Sequence, residues 1–234
     1  LRDASDSLIT LILPAYNEAE SIGRTIREAR EYFARRGYAH EIVVAADGDD
    51  GTREIAAGLG ARVVGEPARR GKGRGVREAA AIARGRYVGY ADADNKVPID
   101  EFDKIYELLD QGFDVAIGTR ASSQSRIERR QPWFRRAGSA AFNLLVGSLM
   151  GLGEIRDTQC GFKFFTAAAA RELFRRQTID GYMFDVEILA LARKLGYRIG
   201  QAPIRWRDDG DTRLNLVRGN LRNVADILRI RFGQ

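Results

Sequence analysis

Hydrophobic positions in the first half of this chain alternate between two rhythms. Short unbroken apolar runs, of the kind buried on both faces of a parallel sheet, are followed by stretches with apolar residues every three or four positions. Residues 8–13 form the first run, closed by Pro14. Ser21 then caps a helix carrying Ile22, Ile26, Ala29 and Phe33 on one face, with Glu18 and Glu20 near its positive end and Gly37 after it. Residues 41–45 predict a second strand, residues 47–51 a turn, residues 52–57 a short helix and residues 61–64 a third strand. A basic, glycine-rich loop over 69–75 leads into a helix reaching about residue 83. A fourth strand over 87–90 follows, then a helix with Phe102, Ile105, Tyr106 and Leu109 on one face, then a strand over 114–118. This alternation predicts an α/β fold with a mostly parallel, doubly wound central sheet and flanking helices.

The second half is less regular. A charged loop covers 121–130, a helix 132–150, a strand 162–165, helices 167–176 and 184–195, and a strand 198–203. Residues 214–232 predict an Arg-rich amphipathic helix with Leu214, Val217, Leu221, Val224 and Leu228 on one stripe, and Arg213, Arg218, Arg222 and Arg229 available to face anions. No internal repeat or linker interrupts the 234 residues, so a single domain over 1–234 is expected.

Composition narrows the chemistry. One cysteine, Cys160, excludes an internal disulfide and a Cys-rich zinc site, and one histidine, His40, leaves little room for His-based catalysis. Acid–base and metal work must rest on carboxylates, Lys and Arg. A net charge of +6 implies an anionic partner. Nucleic acid is not favoured, because no aromatic-studded ribbon or recognised binding motif accompanies the charge. No run reaches the ~18 apolar residues of a spanning helix.

Asp92-Ala93-Asp94 leaves the fourth strand, where an open α/β sheet forms its ligand crevice. Two carboxylates there suit a hard divalent cation bridging to a diphosphate; the plain alternative is a cap for the helix that starts near Asp100. The ends of the first and second strands, at residues 14–18 and 47–52, bring further acids to the same rim. Residues 69–75, Arg-Arg-Gly-Lys-Gly-Arg-Gly, offer glycines for close backbone approach to a phosphate and Lys72 for charge, or else make a solvated basic turn. Arg120, Arg126, Arg129, Arg130, Arg135 and Arg136 form a second basic cluster, with Arg120 the best candidate for an anionic acceptor. Asp157 and Asp185 are candidate bases or positioning acids. Cys160 reads as packing.

Taken together, Pro14-Ala15-Tyr16-Asn17-Glu18, Asp47-Gly48 with Asp50-Gly51-Thr52, Arg70-Gly71-Lys72-Gly73, Asp92-Ala93-Asp94, Gly118-Thr119-Arg120, Asp157-Thr158-Gln159-Cys160-Gly161-Phe162-Lys163, Phe184-Asp185-Val186-Glu187 and Trp206 resemble the family 2 glycosyltransferases of the GT-A (Rossmann-like) fold. Within them, the run at 157–163 resembles the dolichyl-phosphate β-glucosyltransferases and related polyprenyl-phosphate enzymes. The resemblance implies a donor half over 8–118 and an acceptor half over 119–234. Pro14, Tyr16, Glu18 and Asp47 would surround the nucleoside, Lys72 would face the donor, Asp92 would sit beside ribose or metal, and Asp94 would hold Mg²⁺ or Mn²⁺. Arg120, with Arg135 and Arg136, would meet the acceptor phosphate. The family turn Asp-Asp-Gly-Ser is replaced here by Ala46-Asp47-Gly48-Asp49, which leaves uridine versus guanosine open.

The expected activity is therefore inverting, metal-dependent transfer of a hexose, glucose from UDP-glucose, to a polyprenyl or dolichyl phosphate. The expected location is cytoplasmic, peripheral on the inner face of the membrane. A phosphate acceptor is already largely ionised and needs little help from a base. The alternative is the same fold with GDP-mannose as donor or with a soluble hydroxyl acceptor, which makes a carboxylate base, Asp157 or Asp185, essential.

Overall fold

The computed structural model describes residues 8–122, 125–127, 146–155, 157–207 and 216–232; of 126–127, 216–222 and 224 it describes the backbone alone. The strands are β1 (Ile9–Tyr16), β2 (His40–Asp47), β3 (Arg62–Val64), β4 (Tyr87–Ala91), β5 (Val115–Thr119), β6 (Arg126–Ile127), β7 (Phe162–Thr166), β8 (Ile199–Pro203) and β9 (Arg205–Trp206). The helices are α1 (Ala19–Arg35), α2 (Thr52–Gly58), α3 (Lys72–Ala81), α4 (Phe102–Asp110), α5 (Ala167–Arg176), α6 (Phe184–Lys194) and α7 (Leu216–Phe232). Seven strands make one sheet in the order β3-β2-β1-β4-β7-β5-β8, and β6 and β9 pair separately.

Each long strand feeds two cores, as its unbroken apolar run requires. On β1, Ile9, Leu11 and Leu13 pack with Ile22, Ile26 and Phe33 of α1 and Phe102 and Ile105 of α4. On the other face, Ile12 belongs to a second core that also takes in Val76 of α3, Leu173 of α5, Ile188 of α6, and Ile227 and Ile230 of α7. The result is a three-layer α/β sandwich of the expected class.

The strand order reverses direction of growth between β1 and β4, so a crevice opens at their carboxyl ends. β7 is antiparallel to both β4 and β5, whereas the other pairings in this sheet are parallel. Its entry end therefore lies on the crevice rim, and residues 157–161 arrive there beside the ends of β4 and β5.

Two boundaries differ from expectation for local reasons. β1 runs on through Pro14 to Tyr16. β4 pairs only with Ile9–Ile12, so on that side the missing proline N–H interrupts no ladder. Helix α1 starts at Ala19, before Ser21. Its first amide donates to Asp50 Oδ2 at 2.9 Å, while Ser21 Oγ donates to Glu18 Oε2 at 2.7 Å. Asp50 thus caps α1 from a neighbouring turn. Burial opposes its charge, but hydrogen bonds from Thr52 and the Ala19 amide hold its carboxyl below the usual range.

The stripe expected on α7 is also displaced. Ile227 and Ile230 are buried, whereas Leu228 and Phe232 are exposed. Leu214 and Arg213 lie outside the described residues, as do the side chains of Val217, Arg218, Leu221, Arg222 and Val224.

Candidate active site

β4 ends at Ala91, and the chain turns sharply through Asp92, Ala93 and Asp94 to Asn95, whose φ is 55°. The Asn95 amide donates to Asp92 O at 3.1 Å, and its side-chain amide donates to Glu28 on α1. The two aspartates are thereby presented at the rim, with side chains 42% and 36% exposed. Each has an ammonium partner. Lys72 Nζ lies 2.6 Å from Asp92 Oδ1, and Lys96 Nζ lies 3.0 Å from Asp94 Oδ2.

The entry to β7 is pressed against the same turn. The Asp92 amide donates to Gly161 O at 3.1 Å, and a Cβ at position 161 would fall 2.0 Å from Asp92 Oδ2. Only glycine leaves room for that carboxylate. Among the described residues no cluster of three His, Cys, Asp or Glu could hold an ion. Two exposed hard oxygen donors still fit Mg²⁺ or Mn²⁺, which keeps waters and substrate phosphates in its shell.

The glycine-rich segment serves a different purpose from a phosphate cradle. Lys72 already opens α3, and the amides of Gly73 and Arg74 donate to Asp180 O at 2.8 and 3.3 Å. Gly71 has φ 115°, and a Cβ there would lie 2.3 Å from that carbonyl. These glycines admit the chain at 177–183 rather than a ligand. Arg77 adds an ion pair to Asp180 at 2.7 Å. Glu187 fastens the same stretch from α6, accepting from the Thr178 and Ile179 amides at 2.9 Å each.

Arg120 and Asp157 form a forked pair. Nε and Nη2 donate to the two carboxylate oxygens at 2.8 Å each, and the Arg120 amide adds a third bond at 2.9 Å. Asp157 is buried and Trp206 lies under the guanidinium at 5.5 Å. Burial would raise the Asp157 carboxyl, but Arg120 outweighs it and holds the group below the usual range. Both oxygens are thus occupied, and the guanidinium expected to grip an acceptor phosphate is committed. Arg135, Arg136, Arg129 and Arg130 lie outside the described residues, as does the Arg126 side chain.

Asp185 is held differently. Tyr90 Oη and Lys163 Nζ both donate to Oδ1, the latter at 2.5 Å. Oδ2 accepts no hydrogen bond from a described residue. Lys163 is fully buried and also donates to Cys160 O at 2.5 Å, which ties α6 to the turn that supports Asp92. Neither Lys163 nor Tyr90 was singled out from the sequence as a site residue. The legible signal was a lysine inside the apolar run at 162–165. Lys72 lies within the field of both acids. Burial opposes its charge, but Asp92 and then Asp185 lift it well above the ordinary lysine range.

The remaining candidates line the β1–β2 side. Tyr16 is 39% exposed with the Arg69 guanidinium 4.4 Å above its ring. Asp47 Oδ2 accepts from the Arg70 amide at 2.6 Å. Pro14 lies within β1, and Glu18 bonds Ser21. Cys160 is buried, and burial chiefly pushes its thiol up to about 12. The native protein is expected to resist a disulfide reagent at pH 8 and to react fully once denatured; rapid labelling of the folded chain would contradict this packing role.

A family model, Glycosyl transferase family 2, matches residues 10–177. The chain belongs to glycosyl transferase family 2. It is 32% identical over 233 residues to a dolichyl-phosphate β-glucosyltransferase of Drosophila melanogaster, covering 92% of this chain and 71% of that one. It is 36% identical over 232 residues to glycosyltransferase AglD of Haloferax volcanii, covering 94% of this chain and 36% of that protein. Among solved structures it is similar to mannosyl-3-phosphoglycerate synthase from Rubrobacter xylanophilus, with TM-score 0.73, 21% identity, and 95% and 74% of the two chains covered. It is likewise similar to Mycobacterium tuberculosis glucosyl-3-phosphoglycerate synthase in complex with Mn²⁺, UDP-glucose and phosphoglyceric acid, with TM-score 0.72, 23% identity, and 97% and 80% covered.

For this family 2 member, the lipid-phosphate acceptor expected from sequence is corrected. The similar structures were solved with soluble phosphorylated compounds, phosphoglyceric acid and glycerol 3-phosphate. In this chain the arginine meant for a lipid phosphate is already paired with Asp157. No helix among the described residues is long and apolar enough to cross a membrane.

Proposed function

We propose that this glycosyltransferase moves glucose from UDP-glucose to a hydroxyl of a small, soluble, phosphorylated acceptor. The observation that carries the reading is the Lys72–Asp92 ion pair at the end of β4, with the field of Asp185 also acting on Lys72. Pro14, Tyr16, Glu18 and Asp47 line the nucleoside side, and Lys72 faces the diphosphate. Asp92 and Asp94 would hold Mg²⁺ or Mn²⁺, which when bound neutralises the departing diphosphate. The Mn²⁺ and UDP-glucose bound in similar structures support this assignment of donor and ion.

A hydroxyl acceptor needs a base. Asp157 has both oxygens occupied by Arg120 and acts as a positioning residue. Asp185 has one oxygen anchored by two donors, which fixes the direction of the other. As the acceptor oxygen bonds to the anomeric carbon, its proton passes to Asp185 Oδ2 and the bond from that carbon to UDP breaks. A single in-line displacement inverts the anomeric centre.

The test pairs UDP-glucose or GDP-mannose with 3-phosphoglycerate, glycerol 3-phosphate or their unphosphorylated counterparts, with and without Mn²⁺. Product is read by mass spectrometry. Glucosylated phosphate ester is expected only with UDP-glucose and Mn²⁺. Transfer from GDP-mannose alone, or no product with any acceptor from a chain that binds Mn²⁺–UDP, would overturn the proposal.

A further inference from the structure

The rim carries several cations, and most are already neutralised. Lys72, Lys96, Arg77 and Arg120 each hold a carboxylate. Arg69 does not. Its guanidinium lies 4.4 Å over the Tyr16 ring, and Nη2 is 3.4 Å from the Tyr182 hydroxyl. Both contacts are with uncharged groups. Both tyrosines are large exposed side chains, at 39% and 45%.

Tyr182 stands three residues before Asp185, at the end of the segment clamped by Glu187, Asp180 and the opening of α3. Its phenol is also among the groups whose field acts on Lys72. Arg69 is therefore oriented by two aromatic residues, one of them on the segment that leads into Asp185. A planar guanidinium fixed by an aromatic face and one hydrogen bond keeps donors free, and it matches phosphate bidentately.

We propose that Arg69, held by Tyr16 and Tyr182, docks the phosphoryl dianion of the acceptor and makes the enzyme select phosphorylated over plain hydroxyl compounds. This rests on the proposed acceptor class and names the residue that reads it. The same chemistry could serve the donor diphosphate, and the two sources are separable by experiment.

Arg69→Ala, Arg69→Lys and Tyr182→Phe are compared with wild type in two measurements. Calorimetry titrates Mn²⁺–UDP into the protein, then glycerol 3-phosphate into the UDP complex. Steady-state assays compare 3-phosphoglycerate with glycerate. Arg69→Ala is expected to weaken glycerol 3-phosphate binding and to lower kcat/KM for 3-phosphoglycerate about 100-fold. It should leave glycerate turnover and UDP affinity within about 3-fold, with partial recovery in Arg69→Lys. Tyr182→Phe should show a smaller loss of the same selectivity. A fall in UDP affinity would move Arg69 to the donor and overturn the inference. Unchanged selectivity for the phosphorylated compound would overturn it too. If wild type binds glycerol 3-phosphate through Arg69 but transfers no sugar to it, the inference stands and the proposed acceptor reaction fails.

Discussion

Asp185→Asn is expected to lower kcat by about 10²–10⁴-fold while Mn²⁺–UDP binds as before, because the change removes the proton acceptor and leaves the donor contacts in place. The geometry makes the expectation specific. Tyr90 and Lys163 both converge on Oδ1, so the carboxylate cannot rotate freely and Oδ2 keeps one direction. Asp157→Asn is not expected to behave as loss of a base, since both Asp157 oxygens already serve Arg120. Turnover is measured below the melting transition of the variant, with circular dichroism confirming the fold. Asp185→Asn retaining more than about a tenth of wild-type kcat would remove Asp185 from the proton-transfer role.

Lys163→Met carries the largest expected effect on stability. Lys163 is fully buried with Asp185 as its charged partner, so truncating it leaves an uncompensated carboxylate in the core. Breaking a buried pair from one side costs about 3–5 kcal/mol. For a chain of this size that lowers the melting temperature by roughly 6–20 °C. Replacing both partners together, Lys163→Met with Asp185→Leu, is expected to recover much of that loss, because two apolar side chains remove the desolvation cost as well as the attraction. The double variant should remain inactive. Equal melting temperatures for the single and double variants would show that the pair is not coupled, and a stable Lys163→Met single variant would contradict the charge argument outright.

These two residues also mark where sequence reasoning stops. The alternation of apolar runs and helical faces is dictated by burial on both sides of a parallel sheet, so β1, β2, β4, β5 and the α1 face of Ile22, Ile26, Ala29 and Phe33 were legible. The placement of Asp92 and Asp94 at a strand end was legible for the same reason. The direction of β7 was not: a five-residue buried strand has the same apolar pattern whichever way it runs, and only pairing with β4 and β5 sets it. The glycines at 71 and 73 could be read as room for a phosphate, yet the atoms that need the room are the carbonyls of Asp180 and Ile179, more than a hundred residues later in the chain. The commitment of Arg120 to Asp157 was hidden likewise, because the two lie 37 residues apart and meet only through the reversed strand. Asp50 reads in sequence as one of the acids that residues 47–52 bring to the rim, and its carboxylate caps α1.

The reversed strand has one more consequence. β7 is contributed by the later part of the chain but is wedged between β4 and β5 of the earlier part. Severing the polypeptide near residue 119 would therefore not release an autonomous nucleotide-binding fragment. It would strip the partner from two central strands at once, exposing bare backbone edges that invite intermolecular pairing. The earlier and later parts of the chain are interlocked in one sheet, so insertions or fusions are expected to be tolerated at the surface turns but not at the seam between those parts.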